Sequence, residues 1–194
     1  MHFKNLFSLL FLTISSLVVG QTEYGIEVAA AAEELTKDQV IYNGSYFNIP
    51  YPNGDVPKPY GVCTDVIIRT YRKLGIDLQK EVHEDMKAHF SKYPQKWGLK
   101  KTDANIDHRR VPNLRTFFTS KGTSLVLSQQ AIDYLPGDVV SWELSNGLTH
   151  IGVVSKTKSK DQKRYLMVHN IGAGQVLEDC LFHFNITGHY RYGK

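Results

Sequence analysis

The chain has 194 residues, of which 42% are hydrophobic and 22% are charged, and its formal net charge is +4. This length suits one domain with a sizeable buried core. The positive charge is too small and too dispersed to indicate nucleic-acid binding, although it favours an anionic polymer over a neutral partner. The two cysteines are too few for a disulfide framework, and in an exported protein they are by default a candidate disulfide.

Residues 1–20 have the pattern of an export signal. Lys4 lies in a short polar start and is followed by an apolar run over residues 6–19. This run is shorter than the ~20 residues that a membrane span needs, so a cleavable signal is favoured over an uncleaved anchor. Cleavage is expected before Gln21, with the alanine cluster at 29–32 as a second candidate. We therefore expect a periplasmic or secreted protein whose mature chain has no transmembrane segment.

Helices are predicted before strands along the mature chain. Apolar residues at helical spacing predict helices over Glu33–Tyr42, Cys63–Leu74, Leu78–Phe90 and Pro112–Ser120. A proline-rich loop at 50–60 and a polar connection at 97–110 separate them. Apolar and β-branched runs then predict strands over Val139–Leu144, Ile151–Lys156, Tyr165–Asn170, Gln175–Leu177 and Phe184–Tyr192. This order indicates an α+β fold, in which N-terminal helices pack on an antiparallel β-sheet, as one domain over residues 33–194.

Cys63 is the first candidate for a reactive side chain. Gly61 allows a sharp turn into the predicted helix, so Cys63 falls on its first turn. Unpaired N–H groups and the positive end of the helix dipole would stabilise a thiolate there, and the same N–H groups could hold an oxyanion. An inert buried cysteine is the alternative. Cys180, in contrast, is interpreted as a half-buried packing residue.

Two histidines lie at strand ends where they can complete a catalytic triad. His150 begins a predicted strand, and His169 ends the next one. We expect His150 to be the general base and His169 to orient its ring, with Asn170 as an alternative for the orienting role. Alone, either histidine is more often structural, but nucleophile, base and orienting residue each arrive at the end of a separate element.

Further polar residues are candidates for substrate binding. Asp65 lies two residues after Cys63, where its carboxylate either caps the helix or binds a substrate amine. Arg109 and Arg110 belong to an unusually charged connection and could bind a substrate carboxylate through two hydrogen bonds. A solvated or ion-paired loop is the alternative for both arginines. Asn170 completes this group of candidate binding residues.

Long motifs carry a resemblance to known proteins. A cysteine at a helix start, a Pro-Gly-Asp turn at 136–138, His-Ile-Gly-Val-Val at 150–154 and Val-His-Asn at 168–170 resemble the NlpC-type branch of the papain-like cysteine peptidases. The segments 51–57, 61–65, 105–114 and 186–191 resemble a bacterial family catalogued as a domain of unknown function, number 1287. The resemblance covers nearly the whole mature chain.

This resemblance implies a papain-like fold and a cysteine peptidase or amidase. It assigns Cys63 as nucleophile, His150 as base and His169 as the orienting residue, without a cofactor. The expected substrate is a peptide or amide bond in peptidoglycan stems, and the expected state is a monomer. Relatives commonly have Asp-Cys-Ser-Gly around the nucleophile, whereas residues 62–65 here are Val-Cys-Thr-Asp. The pocket beside the cysteine is therefore expected to differ.

The sequence gives less support to several other functions. No His-Glu-x-x-His motif is present, and the segment beginning at Asp103 lacks the glycine and glutamate of a calcium loop. A zinc amidase using His150, His169 and an acidic residue is a less favoured alternative. A catalytically inactive cell-wall-binding module, or a thiol acyltransferase or transpeptidase, would use the same fold, because fold alone does not define function.

Overall fold

A computed structural model of the chain describes residues 23–193. The proposed export signal therefore lies outside the described residues. In the described part, four α-helices precede the main sheet: α1 at 23–35, α2 at Cys63–Lys73, α3 at Leu78–Ala88 and α4 at Val111–Lys121. Over these residues, no helix is both long and apolar enough to cross a membrane.

The strands form a short pair and a larger sheet. β1 (Ile41–Tyr42) and β2 (Tyr60–Gly61) pair in parallel. The larger sheet has the order β3-β8-β4-β5-β6-β7, and all its neighbouring strands are antiparallel. Its strands are β3 (Thr123–Ser124), β4 (Val139–Glu143), β5 (Thr149–Lys158), β6 (Tyr165–His169), β7 (Val176–Glu178) and β8 (Asn185–Arg191). The predicted α+β class is confirmed.

The sheet is covered differently on its two faces. One apolar cluster joins residues of all four helices to one face, through side chains such as Ile151, Val153 and Val168. The opposite face carries Trp142 and Met167 in a second cluster that contains no helical residue. Because side chains alternate along a strand, consecutive residues of β5 and β6 face different clusters.

The first predicted helix is wrong. Residues 33–42 do not form one helix, because α1 ends at Leu35 and a turn leads to the strand at Ile41. Upstream residues such as Val28 and Ala32 are fully buried in α1, so the folded unit extends beyond the predicted start at residue 33. Cleavage within the alanine cluster at 29–32 would remove part of this core helix.

The remaining elements differ from the predictions mainly at their ends. α2 ends one residue before the predicted Leu74, and Gly75 follows with φ of +80°, a conformation that glycine adopts without steric cost. α3 ends at Ala88, and a separate 3-10 turn covers Phe90–Lys92. The polar connection at 97–110 contains a further 3-10 turn at Asp107–Arg109.

Candidate active site

Cys63 is the first residue of α2 and lies at the base of a cleft. Val62 precedes it in an extended conformation, and its N–H donates to the Asp65 carboxylate at 2.7 Å. Cys63 is almost fully buried, yet it lines an open cleft of about 430 Å³. The predicted position of the cysteine on the first helical turn is therefore present in the structure.

The Cys63 thiol is held in its neutral form. Burial raises its pKa to about 12, and the nearby carboxylate of Asp65 acts in the same direction. Backbone N–H groups of Ile151, Thr64 and Cys63 itself lower the pKa, but they do not outweigh burial. The structure therefore differs from the expectation that the helix terminus alone produces a thiolate, and a base must take the proton when sulfur reacts.

The two predicted histidines are brought together. Nε2 of His150 lies 3.0 Å from Nδ1 of His169, and both rings are buried. The His150 ring also stacks on Trp142, with centroids 5.6 Å apart. Burial is the main cause that lowers the pKa of His150 to about 3, and the electrostatic effect of the neighbouring His169 acts in the same direction. Its ring is therefore neutral at physiological pH and has one nitrogen available to accept a proton.

Glu178 completes a chain of hydrogen bonds that the sequence did not reveal. Its Oε2 lies 3.0 Å from Nε2 of His169. A carboxylate only accepts, so Nε2 of His169 carries the proton and Nδ1 must accept the proton of His150 Nε2. Nδ1 of His150 is then the nitrogen that lacks a proton. Strand register offered a signal, because Glu178 pairs with Met167 and lies diagonally across from His169.

The Cys63 thiol and the His150 ring lie on opposite faces of the sheet. Cys63 packs with Ile151 and Val153 in the first cluster, and the N–H of Ile151, the residue after His150, points to its sulfur. The His150 ring instead stacks on Trp142, which belongs to the second cluster. A direct proton transfer between them would therefore require the His150 ring to move; catalytic hydrogen bonds are often poorly aligned in substrate-free enzymes and tighten only when substrate binds.

The cleft has aromatic walls and one arginine without a carboxylate partner. Its lining includes Tyr42, Tyr46, Val62, Cys63, Thr64, Trp97, Ile106, Arg109, Arg110, Val111, Pro112 and Thr149. The Arg110 guanidinium lies over the Trp97 ring, 4.4 Å from its centroid. Nη1 of Arg110 is buried and has no hydrogen-bond partner among the described residues. Arg110 therefore retains a donor for an anionic group.

Asp65 and Arg109 bind each other. Nε and Nη2 of Arg109 donate to the two oxygens of Asp65 at 2.9 and 3.0 Å. Nη1 of Arg109 donates to the Ser45 carbonyl at 3.2 Å. The surrounding connection is not solvated, because Asp107 and His108 are also buried. All three guanidinium nitrogens of Arg109 therefore have partners, whereas Arg110 has a nitrogen without one among the described residues.

Asn170 supports the turn before the nucleophile. Its Nδ2 donates to the Gly61 carbonyl at 3.3 Å, and its Oδ1 accepts from the Gly172 N–H. The hydrogen-bond partner of the His150 ring is His169. The structure therefore places His169 beside His150, and it gives Asn170 a bond that ties the end of β6 to the loop before α2.

Cys180 lies beside His169. It is fully buried, not half-buried as predicted, and its Sγ lies 3.4 Å from Nε2 of His169. Both cysteines are free, so the candidate disulfide is not formed in this structure. The two thiols instead belong to different clusters on the two faces of the sheet, Cys63 at the cleft and Cys180 beside His169.

The fold and site define an α+β protein with a cysteine on the first turn of a helix and a His-His-Glu hydrogen-bond chain on the sheet. The chain belongs to the family described as a domain of unknown function, DUF1287, whose model matches residues 28–192. It is 49% identical over 172 residues to the uncharacterized protein YijF of Escherichia coli (strain K12), covering 89% of this chain and 83% of that protein. The predicted resemblance to this family is confirmed. No solved structure matches the chain.

Proposed function

We propose that this protein is an exported cysteine amidase or peptidase of papain-like, NlpC-type architecture that hydrolyses an amide bond in peptidoglycan stem peptides. One arrangement carries the proposal. The Cys63 thiol lies in a cleft against the backbone of β5, next to the N–H of the residue that follows His150, and the His150 ring continues into His169 and Glu178. A hydrogen-bond chain of this kind fixes the tautomer of a general base, which a binding module does not need.

The first chemical step joins sulfur to the substrate carbonyl. As the sulfur attacks, the thiol proton passes to Nδ1 of His150, which the hydrogen-bond chain leaves without a proton. This transfer requires the His150 ring, stacked on Trp142 in this structure, to approach Cys63 in the substrate complex. The imidazolium that forms is stabilised through His169 by the carboxylate of Glu178. The N–H groups around the sulfur, including that of Cys63, stabilise the negative charge on the carbonyl oxygen.

The second step releases the products. His150 returns the proton to the leaving amine, and a thioester to Cys63 remains. Water then attacks the thioester carbonyl, with His150 accepting its proton, and the free thiol is restored. A thiol acyltransferase would use the same intermediate with an amine in place of water. No cofactor takes part in this sequence of steps.

The cleft and the charge support the substrate class. Aromatic side chains at Tyr42, Tyr46 and Trp97 offer flat apolar surfaces to a peptide, and Arg110 offers a donor to a carboxylate. Stem peptides carry free carboxylates, and the net charge of +4 favours an anionic polymer. The apolar run at residues 6–19 supports export to the compartment that contains this polymer.

The test uses reduced protein and whole peptidoglycan sacculi. Released fragments are identified by mass spectrometry for the wild type, Cys63→Ala and His150→Ala, with His183→Ala as a control outside the hydrogen-bond chain. The proposal predicts fragments from the wild type and the control, and none from the other two variants. Fragment release that persists in Cys63→Ala would refute the cysteine mechanism. Binding to sacculi without release by the wild type would instead support a cell-wall-binding module.

A further inference from the structure

Three potential metal ligands converge beside the catalytic histidines. Nε2 of His169, a carboxylate oxygen of Glu178 and Sγ of Cys180 all lie within 4.8 Å of one another. These atoms lie on the side of the His169 ring away from His150, whose bond is to Nδ1. The proposed hydrolase does not use Cys180, so the presence of a thiol here calls for a separate explanation.

Two of the three separations are close to those of a tetrahedral zinc site. With Zn–N and Zn–O near 2.0 Å and Zn–S near 2.3 Å, neighbouring ligand atoms of a tetrahedron are about 3.3–3.6 Å apart. The His169 nitrogen is 3.4 Å from the Cys180 sulfur and 3.0 Å from the Glu178 oxygen. The Glu178 oxygen and the Cys180 sulfur lie within 4.8 Å of each other, and the half-exposed Glu178 side chain can move to complete the set of three ligands.

We propose that His169, Glu178 and Cys180 form a binding site for Zn²⁺ that switches the protein off. Imidazole, thiolate and carboxylate are together a typical zinc donor set. Two ligands, His169 and Cys180, are buried and so held in place, whereas the Glu178 side chain is 49% exposed. An ion can therefore enter from the Glu178 side without opening the core. Solvent or a substrate group would supply the fourth ligand.

The inhibitory effect, which rests on the proposed function, follows from proton positions. The neutral His169 ring carries one proton, on Nε2; Zn²⁺ binding there releases this proton to solvent, and Nδ1 takes the proton of His150 Nε2. Nδ1 of His169 then donates to Nε2 of His150, and His150 takes a proton from solvent at its Nδ1, so both rings stay neutral. That nitrogen can no longer accept the thiol proton of Cys63. The Cys180 thiol releases its own proton to solvent as the Zn–S bond forms.

Binding is tested without reference to hydrolysis. Reduced protein is titrated with Co²⁺, which gives a near-ultraviolet thiolate charge-transfer band when bound to sulfur. Cys180→Ala and Cys63→Ala form a matched pair, since each removes one buried thiol. We expect the band in the wild type and in Cys63→Ala, and its loss in Cys180→Ala. A band that depends on Cys63, or no band in the wild type, would overturn the proposed site.

Two further measurements distinguish loss of the metal site from misfolding of the variant and from failure of the proposed function. Near-ultraviolet circular dichroism identifies an unfolded Cys180→Ala protein, and Glu178→Gln then supplies a variant that keeps both thiols. Loss of an outer-shell partner weakens metal binding about 10–100-fold, so loss of the Glu178 ligand should weaken zinc binding at least tenfold. If sacculi are digested, zinc should inhibit the wild type and not Cys180→Ala. If they are not digested, the cobalt band is still expected.

Discussion

Asp65, two residues after Cys63 in α2, forms a two-point ion pair with Arg109. Both side chains are nearly completely buried, with relative exposures of 3% and 2%. The Asp65 carboxylate also accepts the N–H of Val62, the residue before Cys63. The pair therefore joins the 3-10 turn that precedes α4 to the first turn of α2, and it fixes the backbone that carries the thiol.

Removal of one member of this pair should be strongly destabilising. Asp65→Ala leaves the Arg109 guanidinium buried without a counter-charge, which is expected to cost about 3–5 kcal/mol of unfolding free energy. Urea denaturation measures this cost. The exposed pair of Glu34 and Lys73 provides the control, because Glu34→Ala should change stability by less than about 1 kcal/mol. Equal effects of the two substitutions would contradict this assignment.

Gly152 sets the spacing between β5 and His169 on the neighbouring strand β6. A Cβ at this position would lie 2.9 Å from the Val168 carbonyl oxygen, 3.1 Å from Cβ of His169 and 3.3 Å from the Trp142 ring. Gly152→Ala should therefore destabilise the fold by about 1–3 kcal/mol and displace the His169 ring. Thermal denaturation is the measurement. Gly44→Ala is the matched control, because a Cβ there meets no atom within 4 Å.

The alkylation rate of Cys63 should follow its raised pKa. Since burial raises that pKa to about 12, the thiol is protonated at neutral pH and should react slowly with iodoacetamide. The rate in folded protein should keep rising with pH and show no plateau up to about pH 10, as expected when the thiolate is the reacting form. Peptide mapping by mass spectrometry identifies the site. A plateau near neutral pH would instead show a stabilised thiolate.

Ionisation of Asp85 should make the free energy of unfolding depend on pH. Burial alone raises its pKa, but hydrogen bonds from Tyr93 and Lys121 outweigh burial and the pKa is lowered overall. A carboxyl group with a lowered pKa stabilises the fold above its unfolded pKa of about 3.9, and this contribution is lost as pH falls through the folded value. Asp85→Asn should therefore be destabilised at pH 7, with the difference shrinking towards pH 3. The exposed Asp133→Asn should show no such trend in urea denaturation.

Arg110 should affect substrate binding more than chemistry. If its free donor binds a substrate carboxylate, Arg110→Gln should raise KM about tenfold or more, because charge-assisted hydrogen bonds contribute about 1.5–3 kcal/mol. kcat should change much less. Lys58→Gln removes the same charge outside this cleft and is the control. Equal losses in both variants would point to overall charge, and an unchanged KM would exclude Arg110 from binding.

Sequence patterns within a few residues predicted the elements whose bounds depend on neighbouring residues. The apolar spacing of α2 and the glycine that follows it are both local, and they located the helix to within one residue at its end. α1 was misplaced because its buried side, which includes Val28 and Ala32, lies in an alanine-rich segment interpreted as part of the export region. The short strands β1, β2 and β3 were missed because two residues carry no detectable alternation.

The sequence predicted those site residues that have a reactive side chain and lie at the end of a predicted helix or strand. Cys63, His150 and His169 lie at element ends, which sequence can indicate, and the structure places the two histidines in contact. Glu178 and Cys180 were missed because their roles depend on the register of β6 and β7. The pairing of Asp65 with Arg109 likewise joins residues 44 positions apart, and no short-range pattern indicates it.

The bond from Asn170 to the Gly61 carbonyl spans 109 residues of sequence. Everything proposed to activate Cys63 comes from strands synthesised long after the cysteine itself. A nascent chain that has emerged only through α4 therefore carries Cys63 without His150, His169 and Glu178. Under the proposed mechanism, a truncated product ending before residue 150 would have a thiol and no activity.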